Sequence, residues 1–357
     1  MNRRLATLLS ALVPAVVLLV LATTVTVPLV AMGPGPTFDT LGEVELEGEG
    51  AGSVPRPVVE VTGRDADTTT GRLDMTTVAV RDHLTLADAM RFWADPEQTV
   101  VPRDQVFPPG RTEDEVDAEN AADMTGSENS AEVAAYRHLG IPLLPRVEEV
   151  APDGAADGVL RPGDLVTSVD GRRTADSKAV VDAVAPRRAG EKLTVAYTRG
   201  GKPASAQITL RPRPAGSGGG DDPDRGVLGI TLTDAPADGT DVAINLDPSV
   251  GGPSAGLMFT LAIVDKLSPG ELTGGRDVAG TGTIDPDGKV GPIGGIRHKI
   301  VAARHEGATE FLVPAANCAE AAVEPPEGIR LVEVSTLDDA LGALETVRSG
   351  GTPPTCG

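Results

Sequence analysis

The run Asp241-Val-Ala-Ile-Asn-Leu246-Asp-Pro-Ser-Val-Gly-Gly-Pro-Ser254-Ala-Gly256 passes from a strand-like piece through a Gly/Pro turn into an apolar helix, which the spacing extends from Ala255 to Lys266. The alternation continues downstream. VAGTGTI reads as a strand, Ile296 to His305 as a helix, FLVP as a strand and the stretch near Cys318 as a helix. RLVEVS is then a strand, and Leu337 to Val347 a closing helix. This is the pattern of an α/β (α+β) domain.

Upstream, PVVEVTG and RLDMTTVAV, between Val58 and Val80, are rich in Val and Thr and read as strands, followed by a short helix from Leu86 to Trp93. Arg111 to Glu132 is crowded with Asp and Glu and has little apolar periodicity. A solvated loop or fraying helix is expected there, with periodicity returning from Ala131 to Leu139.

Between these blocks, about Leu143 to Arg211, lies a strand, turn, strand, helix, hairpin pattern. Val180, Val181 and Val184 give its helix an apolar side, and Gly200-Gly201 turns the hairpin KLTVAYTRGGKPASAQITL. LRPGDLVTSVDG (Leu160 to Gly171), with the helix from Ser177, resembles a PDZ domain. That resemblance implies binding of extended peptide ends by strand addition beside the helix; a β-rich spacer that binds nothing is the plainer alternative. Pro212 to Gly226, rich in Gly, Pro, Ser and Asp, reads as a flexible linker.

Two segments carry the chemistry. Ser254 stands where helix N-terminal amides can stabilise an anion, so it is either an acyl-transfer nucleophile or an N-cap. The second segment is Gly288-Lys-Val-Gly-Pro-Ile-Gly-Gly-Ile-Arg-His-Lys299-Ile-Val-Ala-Ala-Arg304. On a helix, Ile296, Lys299, Ile300 and Ala303 fall on one side, placing Lys299 within an apolar stripe, while Arg297, Arg304 and His305 lie away from it. Such a lysine either snorkels to solvent or loses hydration and has its pKa lowered. Lowered, it becomes a base for Ser254, with backbone amides near Gly252 to Ser254 holding the oxyanion.

GGPSAG and, downstream, PIGGIRHKIVAAR, whose Lys299 stands 45 residues after Ser254, resemble the two signature blocks of the Lon-type peptidase family. The resemblance implies a Ser254–Lys299 dyad, with Thr281 of GTGTI beside the lysine and Gly252 and Pro253 supporting the nucleophile. It extends from about Gly226 to Val347, and more weakly to the strand Arg72 to Val78 and the helix ending at Leu139. The PDZ-like unit would then be an insertion in a discontinuous peptidase domain. Gly251 stands where many Lon domains carry Asp. No G-x-x-x-x-G-K-[ST] sequence is present, so cleavage without ATP is expected, on unfolded, extended or delivered substrates.

The start of the chain sets an expected location. Arg3 and Arg4 precede an uncharged stretch from Leu5 to Phe38, most of it apolar as far as Val30, with the first acids at Asp39 and Glu43. About 20 apolar residues cross a bilayer, and the basic flank stays in the cytoplasm. A single-pass cell-membrane protein with the bulk of the chain outside is expected, the alternative being a cleaved signal peptide. Anchor, PDZ-like unit and Lon-like domain together resemble the membrane-anchored, PDZ-containing Lon-like proteins of Gram-positive bacteria.

Composition bounds the partners. Aromatics at 2% leave few stacking platforms, and 52 acidic against 31 basic residues (net -21) repel phosphate backbones, so nucleic acid is not expected. Cys318 and Cys356 match no zinc spacing and do not cluster with His83, His138, His298 or His305; no metal or cofactor is expected, and a disulfide is permitted.

The expected layout is residues 1-31 cytoplasmic end and transmembrane helix, 32-140 first part of the Lon-like domain, 141-212 PDZ-like domain, 213-226 linker, 227-349 Lon-type proteolytic domain and 350-357 tail. The expected function is serine endopeptidase, with homo-oligomerisation left open. Two alternatives stand beside it. One is a catalytically silent adaptor that binds peptides or membrane-protein partners. The other is an α/β-hydrolase elbow, since Gly252 to Gly256 fits G-x-S-x-G, with Asp277, Asp285 or Asp287 and His298 or His305 following in order. Asp247-Pro248-Ser249 interrupts the buried strand that an elbow requires.

Overall fold

The computed structural model of the chain describes residues 3–47, 53–213 and 224–357, with the side chains of the first helix described from residue 12 on. In chain order the main elements are α1 (Arg3–Thr24), β1 (Leu29–Asp39), β2 (Arg72–Arg81), α2 (Leu86–Trp93), β3 (Thr99–Pro102), α3 (Glu113–His138), β4 (Leu143–Val150), β5 (Leu165–Val169), α4 (Ser177–Val184), β6 (Lys192–Arg199), β7 (Lys202–Thr209), β8 (Ile230–Pro236), α5 (Gly256–Leu267), β9 (Asp277–Gly280), α6 (Ile296–His305), β10 (Glu310–Pro314), β11 (Arg330–Val334) and α7 (Leu337–Arg348).

One sheet runs β11-β10-β9-β2-β1-β3, parallel from β11 to β2 and antiparallel beyond. Its strands come from both sides of the middle unit: β2 pairs with β9 in the register Asp277↔Arg72 to Gly280↔Met75. Leu73 and Met75 from before that unit pack with Leu257, Met258, Phe259 and Leu261 from after it. Fully burying such side chains contributes roughly 2 kcal/mol each, enough to hold two distant segments as one core.

The second sheet runs β7-β6-β5-β4-β8 over its own core of Val147, Val166, Leu193, Val195 and Ile208. Here the expected boundary at 212 needs correction. β8 belongs to this sheet, paired antiparallel to β4 from Ile230↔Val150 to Pro236↔Leu143, because its alternating apolar residues finish a face that the hairpin leaves open. The expected linker falls mostly on residues 214–223, outside the described residues. Its two ends meet, Arg211 opposite Val227 and Pro212 opposite Gly226.

Three further expectations change. The acidic stretch after Arg111 is one helix, α3: Thr112 and Glu115 form a capping box, acids fill the first turn, and Arg137 and His138 fill the last. Before its last turns the only buried residues are Met124, Ser127 and Ala131, with Val133 and Tyr136 following near the end, so no long stripe of large apolar residues announces it.

Second, the apolar start is divided. α1 ends at Thr24, whereas Val30 and Ala31, expected as the end of the anchor, are fully buried in β1, which continues to Asp39. Among the described residues no helix is long and apolar enough to cross a membrane; residues 1–11 of the expected anchor lie outside those whose side chains are described.

Third, the tail is pinned. Cys356 is disulfide-bonded to Cys318, and Pro354 and Cys356 make backbone hydrogen bonds with Glu333 and Leu331 along β11. Closing a loop of 38 residues restricts the unfolded chain by roughly 3 to 4 kcal/mol in the entropic account.

Candidate active site

Lys299 is positioned by its helix start. Gly295 caps α6 in the left-handed conformation (φ 68°), and a Cβ there would lie 2.8 Å from Val78 of β2. Glycine therefore lets α6 begin hard against the sheet. One turn on, Lys299 faces inward with Ile296, Ile300 and Ala303 and is 3% exposed, while Arg297, Arg304 and His305 face water. It does not snorkel.

Ser254 approaches from the opposite side. α5 is capped by Ala255 without a side-chain bond, so Ser254 is not its N-cap. Instead Lys299 Nζ donates to Ser254 Oγ at 2.6 Å and to Thr281 Oγ1 at 3.1 Å. Thr281, directly after β9, donates its hydroxyl to the Ser254 carbonyl at 2.9 Å, and Gly282 N–H donates to the same oxygen at 2.9 Å. The threonine thus fixes both the serine backbone and the lysine head. No carboxylate bonds the ammonium, and burial alone pulls Lys299 down from its ordinary 10.5 to about 8.

The supporting residues play different parts from those expected. Gly252, at φ 90°, donates its N–H to the Asn120 carbonyl at 2.9 Å, and Pro253 has no N–H, so neither holds an oxyanion. Pro253 accepts from Ser127 Oγ at 3.2 Å. Both shape the loop. Among the described residues, the N–H groups of Ser254 and Ala255 have no protein acceptor, and they open the N-terminus of α5, where negative charge is favoured.

Asn120 and Ser127 were not singled out from the sequence, because α3 itself was not recognised as ordered there. The capping box Thr112-x-x-Glu115 was the one signal that could have found it. Around the loop the fit is close: a Cβ on Gly251 would lie 2.8 Å from Asn120 Cβ, and one on Gly256 2.9 Å from Ser127 Oγ and 3.0 Å from Ile284 Cγ2.

Neither candidate histidine reaches Ser254. His298 Nδ1 lies 3.0 Å from the Glu97 carbonyl and His305 Nε2 3.2 Å from the Glu97 carboxylate, so the hydrolase triad has no base. The described residues do bring Asp82, His83 and Glu113 together, but Arg103 already bonds both carboxylates.

A second concave site lies in the other sheet. Val180, Val181 and Val184 of α4 face Leu228, Ile230 and Leu232 across a groove of about 410 Å³. Among the described residues β8 ends that sheet, and one of its edges has no partner strand. Asp234 of β8 accepts from Ser177 N–H (2.6 Å) and Oγ (2.5 Å) at the start of α4, and also from Arg137 of α3 at 3.4 Å. Arg137 in turn donates to Asp287 at 2.6 Å and to the Pro286 carbonyl at 3.1 Å. Those residues lie between Ile284, packed at Gly256, and Val290, so a continuous set of polar contacts joins the groove to the nucleophile side.

With these geometries in place, comparison with known proteins assigns both units. The profile of the Lon protease C-terminal proteolytic domain matches residues 247–345, and that of the PDZ domain matches residues 124–210, beginning inside α3. Lon protease 2 of Syntrophobacter fumaroxidans is 36% identical over 109 residues, covering 29% of this chain and 13% of that protein. Lon protease 1 of Sorangium cellulosum is 40% identical over 101 residues, covering 28% of this chain and 12% of its own length. The matched part is thus about an eighth of these relatives. Among solved structures, the PDZ domain of the SdrC-like protein from Listeria monocytogenes is 30% identical over 25% of this chain and 85% of its own, with a TM-score of 0.22. The chain thus carries a Lon-type proteolytic domain over residues 247–345 and a PDZ domain over residues 124–210.

Proposed function

We propose that the chain is an ATP-independent serine endopeptidase in which Ser254 attacks the peptide carbonyl and Lys299 takes its proton. The observation that carries this reading is the 2.6 Å contact between Ser254 Oγ and a lysine that is 3% exposed. With a pKa of about 8, roughly one lysine in ten is neutral at pH 7, enough to act as a general base. The Ser254 and Ala255 amides stabilise the oxyanion, Thr281 keeps the lysine aimed, and the lysine returns its proton to the leaving amine.

Substrates are unfolded or extended chains. The α4–β8 groove takes an extended peptide along the open edge of β8 and delivers it to the dyad. An N-terminal span anchors the protein in the cell membrane with the bulk of the chain outside. Arg3 and Arg4 supply the cytoplasmic flank, and Leu18 and Leu19 of α1 are exposed to take up lipid. The order of anchor, PDZ domain and proteolytic domain supports a likeness to the Lon-like proteins of Gram-positive bacteria.

Ser254→Ala and Lys299→Ala should each lower ATP-free cleavage of an unfolded protein by about 1,000-fold or more, and the double variant should be no worse, because the pair acts as a unit. Cleavage by Ser254→Ala at the parent rate would overturn the mechanism. Inactivity of every form, with peptide still bound, would establish the adaptor.

A further inference from the structure

α2 presents an apolar face that the peptidase chemistry does not use. Leu86, Met90 and Trp93, at i, i+4 and i+7, are 46%, 64% and 80% exposed, while Ala89 and Phe92, on the neighbouring flank, pack against Ala31 and Leu84. The one acid in the helix, Asp88, is turned away from this face and bonded to Thr85 in the capping box. Arg91, exposed, flanks it.

The face begins where α1 ends. Leu86 N–H donates to the Val25 carbonyl at 3.3 Å, Val27 N–H donates to the Leu84 carbonyl at 2.8 Å, and Thr26 bridges to Thr85. Leu21, in the last turn of α1, and Val25, just after it, are 49% and 50% exposed, so exposed apolar residues stand on both sides of this backbone tie.

We propose that α2 is a membrane-interface helix, lying on the outer leaflet with Leu86, Met90 and Trp93 in the headgroup and upper acyl region, and that it fixes the height of the peptidase above the bilayer. The proposal rests on α1 as a membrane span. Continuity with α1 selects lipid over a second copy of the chain: if α1 crosses the bilayer, Leu86 is tied by its backbone to the level where the chain leaves it. Tryptophan suits that level because an indole buries its rings while its N–H stays hydrated. A net charge of -21 opposes attraction to anionic lipid, so the contact is apolar and insensitive to salt.

Trp93 is the only tryptophan in the chain, which makes its emission a direct readout. The full chain is reconstituted in phosphatidylcholine/phosphatidylglycerol vesicles carrying bromines on shallow or deep acyl carbons, and membrane integration is scored separately by resistance to alkaline carbonate. Expected are blue-shifted emission, at least about twofold quenching by shallow bromines, weaker quenching by deep ones and little access for aqueous iodide. Met90→Glu should lose at least half of the shallow quenching and stay carbonate-resistant.

A resistant chain whose Trp93 is open to iodide and untouched by bromolipid would overturn the docking and leave the anchor standing. A chain stripped by carbonate would remove the anchor and the docking with it. Trp93 shielded from iodide but unquenched by bromines, with cross-links between copies, would assign the face to a second chain instead.

Discussion

α4 and α5 are short helices laid against a sheet, and solvent reaches them in opposite ways. From Gly256 to Asp265 every residue of α5 is buried. α4 buries Val180 and Val184 but leaves Val181 54% exposed, over a groove that none of the described residues fills. Enclosure lowers the pKa of Lys299 and holds its ammonium 2.6 Å from Ser254 Oγ. An open seat gives up packing so that a peptide can supply it. The chain keeps the two demands in separate cores and links them through Asp234, Arg137 and Asp287.

The largest expected effect breaks the enclosed side. Lys299→Met should reduce cleavage to the level of Ser254→Ala and make the protein more stable. In the folded chain Lys299 has lost its proton above about pH 8, whereas unfolded it keeps it to about 10.5. Stability therefore rises with pH through that window, and below it the buried charge costs roughly 3 kcal/mol. Urea unfolding at pH 7 should show Met gaining about 1 to 3 kcal/mol. An unchanged midpoint would mean the lysine is hydrated. For the parent enzyme, cleavage should climb through about pH 8 as the base is freed.

Gly256→Ala sharpens the same side without removing a chemical group. Its methyl would press on Ser127 Oγ and Ile284, moving the nucleophile loop, and a misplacement of about 1 Å is worth on the order of 100-fold. Cleavage of a short peptide should fall about 10- to 100-fold; a parent-like rate would show the loop to be slack.

On the open side, Val181→Glu should slow cleavage of a protein substrate about tenfold and leave a short peptide unaffected, measured as the ratio of kcat/KM values. Equal loss on both would make the groove structural. The smallest effect belongs to the link. Arg137→Ala should leave both sites formed yet change the groove's influence on peptide cleavage by about two- to threefold, read by adding a saturating groove-binding peptide.

Legibility in the sequence followed burial pattern. α2, α4 and α6 start where their apolar spacing places them, and Lys299 stood out because a charge interrupted a stripe. Only the end of α3 is legible: from Ala131 to Leu139 buried Val133 and Tyr136 give it periodicity, whereas before that its buried residues are Met124 and Ser127, too few for an apolar spacing to show. β8 was assigned to the wrong core because strand alternation says that one face is buried, not against which partner. Glu132 was unreadable for the same reason: only the fold encloses it beside α3's neighbours, where burial raises its carboxyl to about 8.

The pairing of β2 with β9 also sets a timetable. Some 200 residues are made between those partners, so β1 and β2 wait with an unpaired edge while the middle unit, whose contacts are nearly all its own, can close. Ser254 precedes its base by 45 positions and the final strand comes later still. A chain emerging from synthesis therefore has no assembled Ser254–Lys299 pair until residue 299 and the strands after it are out.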